Sequence, residues 1–220
     1  MRIKKCLLFV ATLFCVSMAS AALVQDFESG MGEWTLIDAD GDGYNWEIGE
    51  APSIITLNNS IYCITSASYD NDGHSALTPD NFLVSPKVEL GGKIIFWAIG
   101  QDPDWAAEHF AVAVSVAGNT NAADFEVISP EFVATGAWVK YEVDLSAFAG
   151  QEGYVAIRHF NVTDMFQLNI DDITILAPGE TTEDIPNTSV DSRASKTIKN
   201  GTLLIHKNGQ NYTVTGQEVK

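Results

Sequence analysis

The chain has 220 residues, 46% of them hydrophobic, which is enough for one large core. It contains 29 acidic but only 12 basic residues, and its formal net charge is −17. The basic residues concentrate at the N-terminus and in residues 185–220, so that residues 22–184 hold 4 basic and 27 acidic residues, a net charge of −23. This charge argues against binding to nucleic-acid backbones and anionic membrane surfaces, and it favours cation binding.

Residues 1–21 are predicted to be a signal peptide. A basic start is followed by the apolar run 6–16 and by the A-x-A cleavage pattern at 19–21. The apolar run is too short for a membrane span, so none is expected. Cleavage would leave Cys63 as the only cysteine, which excludes an intramolecular disulfide in the mature chain, and we expect Cys63 to be a small buried residue.

Residues 22–176 are predicted to form an all-β domain. Apolar and aromatic runs recur between Gly, Asn, Asp and Pro breaks, and no segment shows a sustained helical period. The predicted strands include 93–99, 110–116, 138–145, 153–160 and 167–176. Short strands separated by turns in a chain of this length indicate a two-sheet jelly-roll sandwich of the galactose-binding or MAM-like kind.

An acidic loop follows the first predicted strands. Asp38, Asp40 and Asp42 alternate with small residues and would occupy positions 1, 3 and 5 of a calcium loop. Gly43 would make the turn at position 6, and the carbonyl of Tyr44 would be the ligand at position 7. Three carboxylates in one tight loop repel each other unless a cation lies between them. The alternative is a solvated acidic turn, because Asp and Gly are common turn formers.

The loop departs from an EF-hand in two respects. Position 12, which is a bidentate Glu in an EF-hand, is Gly49 here. The flanks, 34–37 (WTLI) and 46–48 (WEI), are aromatic and β-branched, as is typical of strands rather than helices. The sequence therefore predicts a calcium loop between strands, with the missing oxygen ligands supplied from elsewhere in the chain.

The last predicted strand, Gln167–Leu176, changes phase. Its apolar side chains fall on even positions before Asp171-Asp172 and on odd positions after this pair, which predicts a bulge that turns a carboxylate toward a neighbouring strand end. The first mature strand, 23–28, ends in Glu28, and the first and last strands of a jelly roll commonly pair. Glu28 and Asp171 or Asp172 are therefore predicted to supply the missing oxygens, unless they are surface charges.

The C-terminal part of the chain has a different composition. Residues 177–200 are rich in Pro, Thr, Ser, Asp and Glu, which predicts a linker. Residues 201–220 are predicted to form a short β-hairpin, with strands 202–205 and 212–214 around the turn Asn208-Gly209. This segment resembles the C-terminal segments of proteins exported by type IX secretion, which implies an interaction with secretion machinery. The alternative is a hairpin docked on the body.

Over residues 23–176 the sequence resembles the cleaved-adhesin domains of gingipain and haemagglutinin proteins. The segments that carry the resemblance are 34–43 (WTLIDADGDG) with Trp46, 77–85 (LTPDNFLVS), 108–112 (EHFAV), 157–160 (IRHF) with 163–165 (TDM), and 171–173 (DDI). The resemblance implies a jelly roll with structural Ca²⁺, binding of host extracellular proteins or cell-surface glycans, and no catalysis. It matches the family's calcium ligands to the acidic loop, to Asp171 and Asp172, and to Glu28.

Three functions are compatible with these observations. The first is a secreted or surface-attached adhesin-type domain, and the second is a carbohydrate-binding module in which Trp105, in a polar loop, stacks on a sugar. The third is a glycosidase that uses paired carboxylates. Trp97 is expected in the core, and His109 and His159 at a sheet edge. No G-x-S-x-G or H-E-x-x-H pattern is present, so an enzyme is not expected.

Overall fold

A computed structural model of the chain describes residues 22–52, 57 and 60–182, and the backbone of four strands between residues 195 and 219. The strands of the body are β1 (Leu23–Gln25), β2 (Thr35–Asp38), β3 (Glu47–Glu50), β4 (Tyr62–Ala67), β5 (Tyr69–Asp70), β6 (Ser75–Ala76), β7 (Asn81–Val84), β8 (Val88–Glu89), β9 (Lys93–Gly100), β10 (His109–Ser115), β11 (Glu126–Val127), β12 (Phe132–Val133), β13 (Val139–Asp144), β14 (Glu152–His159) and β15 (Gln167–Leu176). Three short 3-10 helices lie between strands, at Pro103–Trp105, Ala122–Asp124 and Ser146–Phe148. The predicted signal peptide, 1–21, lies outside the described residues.

Two large antiparallel sheets form the body, and β5 and β6 pair in a separate two-stranded sheet. The first has the order β13-β9-β15-β4-β3, with β1 also paired to β15. The second has the order β11-β10-β14-β7-β2, with β12 also paired to β10 and β8 to β14. The predicted all-β jelly-roll sandwich is confirmed, and the five strands predicted above agree with β9, β10, β13, β14 and β15 to within one residue at either end. Among the described residues, no helix has the length and apolarity needed to cross a membrane.

The core lies between the sheets and follows the period-two alternation of the strands. Phe96 of β9 and Phe110 of β10 meet edge to face, with ring centroids 6.1 Å apart, and Tyr141 of β13 stacks on Phe96 at 5.6 Å. Complete burial of a Phe or Leu side chain contributes about 1.5–3 kcal/mol. Trp97 lies on the opposite face of β9 and is only partly buried, so its expected place in the core is wrong.

The phase change in β15 is a bulge, as predicted. The pairing of β15 with β9 shifts register between Asp171 and Thr174, and Asp172 has a φ of 49°. Ile170 before the shift and Ile173 after it both reach the core. The predicted pairing of first and last strands is also present, because β1 runs antiparallel to the end of β15. The bulge therefore keeps both halves of a ten-residue strand in the core, and Asp171 at the bulge is itself buried.

The chain divides into two compact units after Pro178. The second unit contains an antiparallel sheet of four strands, β16 (Ser195–Lys199), β17 (Thr202–Lys207), β18 (Gln210–Thr213) and β19 (Glu218–Val219), in that order. β17 and β18 pair where the hairpin was predicted. β16 falls inside the range 177–200 that was predicted as a linker, so the regular structure of the tail begins earlier and is larger than a hairpin.

Candidate metal and ligand sites

The acidic loop begins where β2 ends. Asp38, Asp40 and Asp42 each place a carboxylate oxygen within 4.8 Å of the others. The Asp38 carboxylate accepts hydrogen bonds from the N–H groups of Gly41 (2.7 Å) and Gly43 (3.0 Å). Both glycines have left-handed backbones, with φ of 75° and 88°, which favour glycine at these positions. The loop therefore curls around the Asp38 carboxylate, with the carboxylates of Asp40 and Asp42 close by.

The loop is held against β7 through Asp80. The backbone N–H of Asp80 donates to the Asp40 carboxylate at 2.9 Å. Arg158 of β14 makes a two-pronged ion pair with the Asp80 side chain, at 2.6 and 2.8 Å. The guanidinium lies 4.5 Å from the ring centroid of Phe160 and 5.1 Å from that of Phe82. Arg158 thus fixes the strand end that supports the loop, and its charge is already neutralised there.

The first two loop aspartates, Asp38 and Asp40, are hydrogen-bonded to each other, and their pKa values shift in opposite directions. Their mutual hydrogen bond is the main cause that lowers the pKa of Asp38. Partial burial, followed by the same bond, raises the pKa of Asp40. The two neighbouring carboxyls therefore differ in how readily they ionise. A bound calcium ion would favour the ionised form of both, because it supplies positive charge to their oxygens.

A second acidic group lies in the first sheet. Glu28 accepts hydrogen bonds from the backbone N–H groups of Ile61 (2.6 Å) and Tyr62 (3.0 Å). Asp171, at the bulge, is completely buried, and one of its carboxylate oxygens accepts from the N–H of Asp172 at 2.7 Å. The other oxygen of Asp171 is buried and has no hydrogen-bond partner. A buried carboxylate oxygen of this kind is costly unless a cation or a donor reaches it.

The surroundings of Asp171 make its ionisation unfavourable when no metal is bound. Burial is the main cause that raises its pKa to about 7, against the neighbouring Ser60 hydroxyl, which lowers it. The charges of Asp172 and Glu28 raise the pKa further. Burial, with a smaller contribution from Asp171, also raises the pKa of the Cys63 thiol to about 12, which keeps this buried cysteine neutral.

The seven predicted metal ligands therefore fall into two groups. Glu28, Asp171 and Asp172 meet at the start of β4 and do not belong to the cluster of three loop carboxylates. The structure thus does not bring them to the loop as the missing ligands. Tyr44 follows the loop, where its N–H donates to Asp42 at 2.8 Å and its hydroxyl donates to Asp70 at 2.7 Å. Among the described residues, only the three loop aspartates form a group of acidic side chains within 4.8 Å of one another, so Glu28, Asp171 and Asp172 lie apart from it.

Trp105 lies at a cavity of about 360 Å³. It ends the 3-10 helix Pro103–Trp105, which Asp102 caps by accepting from the N–H of Asp104 at 2.9 Å. The Trp105 side chain is 52% exposed. A Cβ at Gly100 would overlap the backbone of Ala106, so glycine allows this loop to lie tightly on the end of β9.

A buried polar network was not found from the sequence. His159 contacts the Glu108 carboxylate (2.9 Å) and the Ser66 hydroxyl (2.8 Å), whereas His109, the sequence neighbour of Glu108, contacts Glu131 (2.6 Å). Both His159 and Glu108 are completely buried. His159 therefore lies in the middle of the second sheet and not at an edge, as had been expected. The only sequence signal is that each His has a charged neighbour, which does not specify the partner.

This network has the composition of a catalytic triad but not its accessibility. Ser66 is 1% exposed, and His159 and Glu108 are 0% exposed. A nucleophile must reach a substrate carbonyl, and no substrate reaches a hydroxyl between two sheets. Glu108 also accepts from the Ser68 hydroxyl and from the N–H of Phe166, both at 2.8 Å. The arrangement is that of a satisfied buried network that supports structure.

The two sheets define a β-sandwich domain with acidic loops, and comparison with known proteins gives its family. A family model described as the Cleaved Adhesin Domain matches residues 21–175, and the chain belongs to this family. It is 42% identical over 178 residues to Gingipain R1 and 40% identical over 182 residues to Hemagglutinin A, both of Porphyromonas gingivalis. The K1 cleaved adhesin domain of Lys-gingipain, also from P. gingivalis, superimposes with a TM-score of 0.65 at 40% identity.

The matches cover most of this chain but only a small part of the full-length relatives. The K1 comparison covers 72% of this chain and 99% of that domain. The matches to Gingipain R1 and Hemagglutinin A each cover 73% of this chain, but only 10% and 8% of those proteins. The chain therefore spans about a tenth of the relatives' length, and the part it matches is an adhesin domain rather than the gingipain catalytic domain.

Proposed function

We propose that residues 22–176 form a secreted or surface-attached adhesin domain, stabilised by Ca²⁺, that binds host extracellular proteins or cell-surface glycans. Membership of the cleaved-adhesin family supports the adhesin role. The observation that carries the calcium assignment is the cluster of three loop carboxylates within 4.8 Å, with no basic side chain among them. The buried, unpartnered oxygen of Asp171 supports a second site.

The chemistry of the donors fits calcium at both places. In the loop, Asp38, Asp40 and Asp42 would hold the ion together with the carbonyl of Tyr44, as the spacing predicts. In the first sheet, Glu28, Asp171 and Asp172 would hold a second ion. Bound calcium supplies positive charge to oxygens that otherwise repel each other, and it ties the loops to the strand ends. The protein side chains supply only oxygens, as a hard cation prefers.

We assign no catalysis to this domain. The family match is to an adhesin domain, and the Ser66–His159–Glu108 arrangement is closed to substrates. A carbohydrate-binding role stays the second candidate, because Trp105 exposes half of its side chain at a cavity, as aromatic sugar platforms do.

A binding panel in calcium and in chelator tests the proposed function. The mature chain, from Ala22, is presented to immobilised host extracellular proteins and to a glycan array. We expect retention on proteins of the panel in millimolar calcium, and a loss of affinity of about tenfold or more in chelator, because the loops would lose their order. Hits restricted to the glycan array would favour the carbohydrate-binding module. Binding to neither surface would contradict the adhesin assignment.

The C-terminal unit has a separate proposed role, as an address for secretion machinery. Residues 185–220 carry five basic and two acidic residues on an otherwise acidic chain. Ala177 is buried and Pro178 lies against Gly91, so a truncation should begin at residue 179. We expect this truncated protein to melt within about 2 °C of the full chain but to accumulate inside the cell. A truncated protein that melts well below the full chain, yet still reaches the surface, would show that the tail stabilises the body instead.

A further inference from the structure

The cavity beside Trp105, here called the Trp105 pocket, combines aromatic and acidic side chains. Its lining consists of Tyr69, Asn71, Asp102, Trp105, Asp164, Met165 and Phe166. The volume of about 360 Å³ is within the range of pockets that bind small ligands. Aromatic rings, a thioether and two carboxylates are therefore presented together at one concave surface.

The pocket has no positive charge of its own. Its two carboxylates belong to Asp102 and Asp164, and over residues 60–182 no hydrogen bond reaches the Asp164 carboxylate. The four basic side chains of residues 22–182 are all engaged in ion pairs: Lys87 with Glu152, Lys93 with Glu142, Lys140 with Glu142, and Arg158 with Asp80. None of these pairs lies in the pocket lining. The negative charge of the pocket is thus uncompensated by the protein, and it attracts a cation.

The walls of the pocket are held by the fold. On one side the N–H of Trp105 donates to the carbonyl of Asp102 at 3.0 Å, and the N–H of Gln101 donates to Gln167 at 3.0 Å. On the other side the N–H of Asp164 donates to the carbonyl of Ser68 at 3.1 Å. The backbone segments that carry the two carboxylates and the indole are therefore held by hydrogen bonds within the fold.

We propose that the Trp105 pocket binds a cationic side chain, arginine or lysine, presented by a partner protein. A guanidinium or ammonium group gains from an aromatic face and, through its charge, from the two carboxylates at once. A neutral sugar can stack on the ring and donate hydrogen bonds to the carboxylates, but it does not compensate their negative charge. The inference rests on the proposed adhesin function and names the chemistry that this surface recognises. It also assigns Trp105 to protein recognition rather than to the sugar stacking suggested by the sequence.

A ligand titration followed by NMR tests this assignment. The mature chain in millimolar calcium is titrated with Nα-acetyl-arginine amide, Nα-acetyl-lysine amide, lactose and Nα-acetyl-citrulline amide, which is a neutral analogue of the arginine derivative. The indole N–H signal of Trp105 is the readout. We expect saturable shifts with both cationic amides, binding of the citrulline amide weaker by about tenfold or more, and no saturation with lactose.

Variants separate this pocket from the rest of the surface. Asp164→Asn removes one charge from the lining and should weaken arginine binding about fivefold or more, followed through the Trp105 signal. Glu126→Gln removes one charge from exposed strand β11 and should change it less than about twofold. Equal binding of the arginine and citrulline amides, or unchanged binding by Asp164→Asn, would overturn the proposal. Saturation by lactose alone would restore the sugar assignment.

The binding panel separates this proposal from the proposed adhesin function. Protein binding in the panel that survives Trp105→Ala would disprove the role of the pocket alone. Arginine binding without any panel binding would disprove only the adhesin function.

Discussion

Replacing Glu108 by alanine is expected to lower the free energy of unfolding of the body by about 3–5 kcal/mol. Glu108 is completely buried, and its two oxygens contact Ser68, Phe166 and His159 at 2.8–2.9 Å. Alanine would leave these polar groups without a partner between the sheets, where water cannot replace it. For a domain of this size, the loss corresponds to a decrease in melting temperature of about 10 °C or more. Urea denaturation monitored by circular dichroism measures the change.

The exposed pair of the same chemistry is the matched control. His109 contacts Glu131 at 2.6 Å, and Glu131 also accepts from Asn161 at 3.0 Å. These side chains reach solvent, so water replaces the lost hydrogen bonds and Glu131→Ala should hardly change the denaturation midpoint. Equal effects of Glu108→Ala and Glu131→Ala would show that the buried network does not contribute as we infer. Glu108→Gln, which keeps the shape, should lie between the alanine variant and the parent.

Asp171→Asn is expected to have opposite effects with and without calcium. The folded-state pKa of Asp171, about 7, lies above the ordinary value of 3.8. Its contribution to stability is therefore fully present below about pH 4 and is lost as the pH rises through 7. In chelator at pH 8 the asparagine variant should be more stable than the parent by about 3 kcal/mol, and near pH 4 the two should be equal. In millimolar calcium the order should reverse, because the variant lacks a charged ligand.

Thermal melts at pH 4, 6 and 8, in chelator and in calcium, measure both effects. Asp124→Asn, at the exposed 3-10 helix Ala122–Asp124, removes a carboxylate outside both acidic groups and should leave the pH profile and the calcium response unchanged. Asp40→Ala should reduce the calcium response through the loop alone. The parent protein in chelator could instead gain stability between pH 4 and pH 8, with the same pH dependence in Asp171→Asn. That result would show that the buried Asp171 carboxyl does not destabilise the metal-free protein.

The strands and the bulge could be predicted because they leave a local pattern. Apolar runs between turn residues identified β9, β10, β13, β14 and β15, and the shift from even to odd apolar positions located the bulge at Asp171. The proximity of the three loop carboxylates could be predicted for the same reason, since Asp38, Asp40 and Asp42 are close in sequence. The assignment of β16 to a linker was wrong because its composition, SKTIK, is polar, and pairing with β17 rather than hydrophobicity makes it a strand.

The parts that could not be predicted depend on which strands become neighbours. Glu108 and His159 are 51 residues apart and meet only because β10 and β14 pair. The division of the acidic residues into two groups depends on the sheet to which each belongs, and a single sequence does not state this. The complete burial of Asp171 likewise depends on Ser60 and Glu28 approaching it from other segments.

The hydrogen bonds of Ser68 have a consequence for recognition. Its hydroxyl donates to Glu108, while its carbonyl accepts from the N–H groups of Leu77 and Asp164. One wall of the Trp105 pocket is thereby attached to the interior of the sandwich rather than to a loose surface loop. A partner that docks there orders little backbone and so loses little conformational entropy. Differences in affinity between partners should consequently appear in how long each complex lasts, more than in how fast it forms.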